Sequence, residues 1–280
     1  MAHGAYKPIE AYGLIGNLET CALVGQDGAI DWCCLPYLQS PSVFAAILDS
    51  EKGGTFRIQP TGSFDAVQRY QSNTNVLNTT FTTGAGTLRL TDFMPILSED
   101  PVAPFSEPWI FRRVEAVEGP VAFEVTFEPR FDYARARTII ESMDDVLLAR
   151  GSGEHVSLNT ASPLDIVDKT ASGIHELDAG ETAWYTLQYG QHKRPESIDP
   201  ERLLERTRRD AQLGLPVQLD PRRRVHHSGA VQTRPHPGDE RLLRLVSGRH
   251  PQRVRDVPAV PAAVRAPGGD PADRGDARSP

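Results

Sequence analysis

The sequence predicts an all-β fold, an antiparallel β-supersandwich with one or two short helices, followed by a disordered tail rich in Arg and Pro. Three observations support this prediction. Short apolar segments with period-two alternation follow one another through the first 190 residues, turn residues separate them, and the pattern stops near residue 209. With 280 residues, of which 39% are hydrophobic, the chain is long enough to bury a sizeable core.

Two hairpins are predicted near the start of the chain. Asp27-Gly28 supplies the turn of the first, because this dipeptide suits the tight turns that join antiparallel strands. Gly84-Ala85-Gly86 supplies the turn of the second. The strands that these turns join are predicted over residues 20–24 and 29–33, and over residues 76–83 and 87–93.

The clearest alternation lies in residues 121–128, where every second residue is Val or Phe and would face a core. We expect residues 109–117 to be the partner of this strand, joined to it by a turn at Gly119-Pro120. Later strands are predicted over residues 146–150, 155–159, 165–169, 173–177 and 182–189.

Two short segments have helical signals. Ser40 can cap a helix, Pro41 suits the first helical position, and apolar residues then recur at helical spacing up to Leu48. Gly53-Gly54 would end this helix. A second helix is predicted from residue 199 to about residue 209, with a Pro near its start.

Charge and composition divide the chain near residue 206. The first 206 residues carry 16 Lys and Arg against 29 Asp and Glu, a net charge of −13, whereas residues 207–280 carry 14 Arg against 8 acidic residues, a net charge of +6. The second part has no aromatic residue, Ile or Lys, so it cannot bury enough surface to offset the entropy of ordering. We therefore expect a β-sandwich domain over residues 1–198, a linker helix over 199–209 and a disordered tail over 210–280.

The strongest sequence signal is a set of segments within residues 9–60, followed by P-R-F-D-Y at 129–133. Together they resemble the N-terminal domain of glycoside hydrolase family 15, the prokaryotic glucoamylases and related trehalases, and the resemblance extends to about residue 205. One departure is Gln39, where the family usually has Asp. The segments are I-E-A-Y-G-L-I-G-N at 9–17, T-C-A-L-V at 20–24, D-G-A-I-D-W-C-C-L-P at 27–36, S-P-S-V-F-A-A-I-L-D at 40–49 and G-G-T-F-R-I-Q-P at 53–60.

The resemblance implies a β-supersandwich, a short helical linker and a toroid of helical hairpins. In that family the toroid hydrolyses α-glucosidic bonds of α-glucans or trehalose with inversion, using two glutamates. Residues 210–280 are too few for a toroid and resemble none of it. We therefore expect a truncated, non-catalytic domain that is inactive alone, lacks its toroid partner and leaves an apolar face uncovered. The Arg- and Pro-rich composition favours an out-of-frame tail, which the other reading frames of the downstream DNA would test.

Two alternatives remain open. In the first, the chain is a stand-alone carbohydrate-binding or accessory module. In the second, it is an enzyme with a site inside the sandwich. Binding of maltooligosaccharides or trehalose distinguishes the first alternative, and release of glucose from maltose, starch or trehalose distinguishes the second.

Trp32, Tyr37 and Ser40 are the candidates for a substrate rim. The first hairpin meets the predicted Ser40 helix there, the resemblance places this edge near the junction with the toroid, and aromatic faces suit the apolar faces of sugars. The alternative is that Trp32 packs in the core and Tyr37 in a loop. We predict no catalytic, cofactor-binding or metal-binding residues, because no spacing pairs the acids and the His residues are isolated.

Other polar and aromatic residues are expected to be structural. Arg112, Arg113 and Arg130 should lie on a solvated face, and Trp109 and Trp184 should lie in the core.

The sequence favours a cytoplasmic protein without membrane or nucleic-acid partners. It has no apolar run of membrane-spanning length, no signal-peptide pattern at its start, and an odd number of cysteines, three. An Arg-rich tail can bind nucleic acid, but this one is diluted by acids and has no aromatic residue for base stacking. The acidic first part, with few Lys, fits either a salt-loving source or an ordinary acidic cytoplasmic protein.

Overall fold

The computed structural model describes residues 6–95, 108–143, 146–160, 162–190 and 198–212, which form sixteen β-strands and one α-helix. A 3-10 turn at Ile9–Ala11 precedes the first strand. In chain order the elements are β1 (Tyr12–Gly16), β2 (Cys21–Gly25), β3 (Ala29–Cys34), β4 (Ser42–Phe44), β5 (Thr55–Pro60), β6 (Phe64–Tyr70), β7 (Leu77–Thr83), β8 (Thr87–Phe93), β9 (Trp109–Glu118), β10 (Val121–Glu128), β11 (Ile139–Met143), β12 (Val146–Gly151), β13 (Glu154–Thr160), β14 (Asp165–Val167), β15 (Thr170–Leu177), β16 (Thr182–Tyr189) and α1 (Pro200–Gln212).

The strands form two eight-stranded sheets, and neighbouring strands in both are antiparallel. The first sheet has the order β1-β2-β3-β5-β10-β15-β14, with β4 paired to β3, and the second has the order β11-β12-β13-β16-β9-β8-β7-β6. One cluster of buried apolar residues includes side chains from both sheets, so the main core lies between them. The predicted all-β sandwich is therefore confirmed.

The period-two pattern places the side chains as the sequence predicts. In β10 the Val and Phe residues are buried and the residues between them are half-exposed. The two predicted hairpins are present as β2–β3 and β7–β8. The predicted partnership of residues 109–117 with β10 is wrong. The turn that contains Gly119 instead carries the chain from β9 in the second sheet to β10 in the first, where β10 pairs with β5 and β15.

The predicted helix from Ser40 is also wrong, because this segment contains β4 and a turn. All three residues of β4 are buried, which a one-sided helical stripe does not provide, and Phe44 pairs with Cys33 of β3. The N–H of Ala45 donates to the carbonyl oxygen of Gly53 at 2.8 Å. A Cβ on Gly53 would lie 2.1 Å from the carbonyl oxygen of Ala45. Gly53 therefore permits a close approach of two backbone segments and does not end a helix.

A buried arginine, held by an aspartate of its own sheet, links the two sheets. Arg112 on β9 lies opposite Asp92 on β8, both side chains have no exposed surface, and Nε of Arg112 donates to Oδ1 of Asp92 at 2.8 Å. The other guanidinium nitrogens cross to the first sheet. Nη1 donates to the carbonyl oxygen of Phe56 at 2.5 Å and Nη2 to that of Gly28 at 2.7 Å. The guanidinium carbon also lies 4.7 Å from the centre of the Phe56 ring.

These contacts correct the expectation that the arginines lie on a solvated face. Arg112 faces the core because it is in register with the inward-facing positions of β9, and its guanidinium donates four hydrogen bonds there, two to Asp92 and two to backbone carbonyl oxygens. Burial raises the pKa of the Asp92 carboxyl, and the facing guanidinium offsets part of that shift. The side chains of Arg113 and Arg130 are only 17% and 14% exposed, and each is paired with glutamate.

The helix α1 packs on the outer face of the second sheet. Asp199 caps it by accepting a hydrogen bond from the N–H of Glu201 at 3.0 Å, and Pro200 is its first residue, as the sequence predicts. Trp109 and Trp184 lie in the small core beneath the helix, Trp109 fully buried and Trp184 partly. The apolar residues of this cluster are Val76, Phe93, Trp109, Phe111, Ile198, Leu203 and Leu204.

The predicted disordered tail lies almost entirely outside the described residues, and the proposed domain boundaries stay predictions. In the part of the chain that the structure describes, α1 is neither long nor apolar enough to cross a membrane.

Replacing Arg112 by Met is expected to lower the free energy of unfolding by about 3–5 kcal/mol, because Asp92 would stay buried without its partner. Arg89→Met on β8 is the control, since its ion pair with Glu115 is partly exposed, and should cost below about 1 kcal/mol. Urea unfolding followed by circular dichroism measures both. An Arg112 variant as stable as the control, or an added Asp92→Leu that restores no stability, would contradict this role of the ion pair.

Replacing Leu204 by Ala tests whether α1 belongs to the folded domain. Leu204 is fully buried, so we expect a loss of about 2–5 kcal/mol in the same unfolding transition as the sandwich. Glu205→Ala, one residue further along on the exposed side, should change it by less than about 0.5 kcal/mol. An unchanged midpoint for the Leu204 variant would show that α1 is not coupled to the sandwich.

Candidate functional site

A β-bulge in β3 places two consecutive side chains on the outer face of the first sheet. Leu23 pairs with Trp32 and Val24 pairs with Ile30, so Asp31 is the extra residue. Ile30 and Cys33 face the main core, and Asp31 and Trp32 lie between them. Trp32 shares the outer face with Leu23, since directly paired residues point to the same side of a sheet. Bulges commonly re-aim side chains beside functional sites.

The contacts of Asp31 confirm its outward direction and make it the centre of a polar cluster. Its Oδ2 accepts hydrogen bonds from Nζ of Lys7 at 2.6 Å and from the hydroxyl of Tyr12 at 2.9 Å. Its Oδ1 accepts one from the hydroxyl of Thr55 at 3.0 Å. Lys7 also pairs with Asp27 at 2.7 Å.

The protonation states in this cluster follow from the geometry. Burial, together with the Asp31 and Asp27 carboxylates, raises the pKa of the Tyr12 phenol, so it stays a hydrogen-bond donor at neutral pH. Gly25 gives the cluster its room. A Cβ there would lie 2.6 Å from Oδ1 of Asp27 and 2.9 Å from Nζ of Lys7.

A cavity of about 140 Å³ opens beside the polar cluster. Lys7, Tyr12, Asp27 and Asp31 line it, together with Arg57 on the outer face of β5. Nε of Arg57 is buried and has no hydrogen-bond partner among the described residues. Several buried polar atoms of the described residues are in this position, and Arg57 is the residue among them that lines the cavity. A buried donor without an acceptor costs free energy.

On the other side of Asp31, Trp32 contacts an aromatic ring held by a strained turn. The centre of the Tyr133 ring lies 6.2 Å from the centre of the Trp32 ring. Asp132, Tyr133 and Ala134 all have left-handed backbone conformations, with φ values of 53°, 55° and 63°. Each such residue costs about 1–2 kcal/mol, so contacts elsewhere must hold the turn.

Residues on both sides fix this turn. The ring of Phe131 is buried in the main core, and the N–H of Arg130 donates to the carbonyl oxygen of Val43 at 2.8 Å. Nη2 of Arg135 pairs with Asp132 at 2.7 Å, and its guanidinium carbon lies 5.4 Å from the centre of the Tyr133 ring. The P-R-F-D-Y segment noted in the sequence therefore positions Tyr133.

The structure separates the three predicted rim residues into two places. Trp32 is half-buried on the outer face and contacts Tyr133. Tyr37 and Ser40 lie together in the next turn, where the N–H of Tyr37 donates to Oγ of Ser40 at 3.2 Å. Tyr37 is 39% exposed. Whether any of the three meets a substrate stays a prediction.

Sequence reasoning missed Lys7, Tyr12, Arg57 and Tyr133 as neighbours of the bulge. One signal was present in the sequence. Strict alternation allows one residue between two inward-facing positions, but two residues lie between the apolar Ile30 and Cys33. This interruption of the alternation predicts a bulge. Nothing in the sequence brings Lys7 or Tyr133 to this place, because their contacts cross between distant segments.

Charged and apolar side chains lie side by side on this face. Asp27 and Asp31 are both paired with the ammonium of Lys7. Apolar side chains surround the cluster, since Leu14, Leu23 and Trp32 form a row across three strands and Leu14 is 49% exposed. Among the described residues, no three His, Cys, Asp or Glu side chains come together as metal ligands.

Comparison with known proteins finds one family over most of the chain. Residues 2–203 match the model of the trehalase-like N-terminal domain family. A trehalase from Thermoplasma volcanium is 35% identical over 190 residues, 67% of this chain and 30% of that protein. One from Thermoplasma acidophilum is 35% identical over 176 residues (61% and 29%), and one from Mycolicibacterium smegmatis is 29% identical over 215 residues (69% and 32%).

The chain thus spans about a third of the length of the curated relatives that it matches. Among solved structures, a protein described as a kojibiose phosphorylase from the human microbiome is similar over 72% of this chain and 32% of its own, with a TM-score of 0.36 and 9% identity. A likeness this weak says nothing about function.

The strained turn gives a test by substitution to glycine. Ala134→Gly should leave the free energy of unfolding unchanged or raise it by up to about 1 kcal/mol, because glycine adopts the left-handed conformation without strain. Ala122→Gly, at a half-buried position of β10, should lower it by about 0.5–1 kcal/mol. Equal losses in the two variants, measured by urea unfolding, would contradict a left-handed turn at residue 134.

Proposed function

Because the chain belongs to the trehalase-like N-terminal domain family, we propose that it is the non-catalytic N-terminal domain of a glycoside hydrolase of family 15. The parent reaction is hydrolysis of the α-glucosidic bond of trehalose or a related α-glucan. The observation that carries this proposal is the 35% identity to a trehalase over 190 residues. The family match, residues 2–203, spans both sheets and reaches into α1.

The contacts of Asp31 support a non-catalytic role. Inverting hydrolysis needs one carboxyl group that protonates the leaving oxygen and one that activates a water. Asp31 accepts hydrogen bonds from Lys7, Tyr12 and Thr55, which engage both of its oxygens. Asp31 is therefore suited to hold structure in place.

We propose that the partner of this domain is a helical catalytic domain and that it covers the outer face of the first sheet near β1–β3. Exposed apolar side chains at that end support the proposal, since Leu18, Tyr37 and Leu38 are 64%, 39% and 56% exposed. The segment with Leu38 lies against the turn that contains Leu18, because the N–H of Leu38 donates to the carbonyl oxygen of Glu19. Apolar surface of this kind is typical of interaction sites.

In this arrangement Trp32, Tyr37 and Ser40 would border the substrate cleft. The exposed ring of Tyr133 beside Trp32 extends that aromatic border. A cytoplasmic location is part of the proposal, and the three free cysteines are compatible with a reducing compartment.

A chimera tests the proposal. The matched N-terminal part of the Thermoplasma volcanium trehalase is replaced by residues 2–212 of this chain, and trehalose hydrolysis is compared with that of the same relative lacking its N-terminal part. We expect the chimera to be active and the truncated relative inactive. We also expect the purified 280-residue chain to release no glucose from trehalose, maltose or starch.

The rim residues are tested in the same chimera. Trp32→Ala should raise KM for trehalose about fivefold or more, because an aromatic contact is worth roughly 1 kcal/mol or more. Ile139→Ala, an exposed residue on the distant edge strand β11, should not change it. A folded chimera without activity would contradict the proposed domain role, as would glucose release by the chain alone that Asp31→Asn abolishes.

A further inference from the structure

The cavity beside Asp31 has the properties of a ligand site that is separate from the aromatic border at Trp32. Its wall contains two cations and two carboxylates. The cations are Lys7 and Arg57, and the carboxylates are Asp27 and Asp31. Lys7 already joins the two carboxylates at 2.7 and 2.6 Å. Arg57 is different, because its buried Nε has no partner among the described residues. A donor in that position favours a ligand that brings an acceptor.

The position of Arg57 follows from the strand register. Phe56 and Ile58 face the main core, so Arg57 between them faces outward, opposite Ala29 on β3. The carbonyl oxygens of Phe56 and Gly28 on the reverse side accept hydrogen bonds from Arg112. The floor of the cavity is therefore held by the core, which makes the site pre-formed.

The charge balance selects the class of ligand. An anion would meet the two carboxylates, and a cation would meet Lys7 and Arg57, so neither is favoured. A hydroxyl group both donates and accepts, and can therefore face an aspartate on one side and a guanidinium on the other. The phenol of Tyr12 adds a neutral aromatic wall.

The size of the cavity agrees with a single sugar ring. One water molecule needs only about 10–15 Å³ of such space, so the cavity of about 140 Å³ admits several waters or a small ligand such as a single sugar ring. The site suits one ring, entered from the side of Ser50, which is exposed at the cavity edge.

We propose that the cavity lined by Lys7, Tyr12, Asp27, Asp31 and Arg57 binds a neutral, polyhydroxylated ligand the size of one pyranose ring. Hydroxyl groups of the ligand accept from Arg57 and donate to the aspartates. The site is one of binding without catalysis, and it does not require the proposed role in trehalose hydrolysis.

The test is a titration of the purified 280-residue chain with D-glucose, trehalose and sodium sulfate, followed by backbone amide NMR shifts. We expect saturable shifts with the sugars at residues of β3 and β5 around the cavity, and none of that kind with sulfate. Saturation by sulfate alone would identify an anion site and overturn the proposal. The absence of saturable shifts with either sugar would overturn it too.

Two variants and a control locate the site. Arg57→Met should weaken sugar binding about tenfold or more, because it removes a charge-assisted hydrogen bond. Ser50→Trp should block entry without touching the core. Arg69→Met, at an exposed arginine on β6, should leave binding unchanged. Unweakened binding in both cavity variants, or shifts centred on Trp32 and Tyr133, would show that the cavity is not the site.

Discussion

The arrangement of this protein depends on one buried guanidinium. Arg112 is held by Asp92 within the second sheet and donates to two carbonyl oxygens of the first, those of Gly28 and Phe56. Those two residues directly precede Ala29 and Arg57, which line the outer cavity. The same side chain therefore joins the sheets and fixes the backbone behind the candidate site. Gly28 permits this, because a Cβ there would lie 2.1 Å from the carbonyl oxygen of Ile58.

Two local distortions shape the outer face of the first sheet. The bulge at Asp31 gives one strand two adjacent outward side chains, and the left-handed turn places Tyr133 against Trp32. Both cost free energy locally, and a regular strand and an ordinary turn would cost less. The surrounding core offsets that cost, through Phe131 on one side and Ile30 on the other. Distortions of this kind concentrate where a protein contacts a ligand or another domain.

The sequence predicts most of the strands because alternation is a local property, as in β10 and the two hairpins. Prediction from the sequence fails where contacts between distant segments determine the local structure. The segment from Ser40 has a helical spacing of apolar residues, but pairing with β3 and burial on both faces make it a strand. Arg112 has the sequence pattern of a surface residue. Its burial follows only from the strand pairing that places Asp92 opposite it. Of the residues on the outer face, the sequence singles out Trp32, and its role in a site stays a prediction. Lys7, Arg57 and Tyr133 reach the same face only through the fold.

Native-state hydrogen exchange tests most directly whether the buried guanidinium makes the two sheets one cooperative unit. The amides of β5 in the first sheet and β9 in the second are compared over a series of low denaturant concentrations. We expect the same free energy of opening and the same denaturant dependence for both strands, equal to those of global unfolding. Opening of β5 at a free energy lower by about 2 kcal/mol or more, while β9 stays protected, would contradict this expectation.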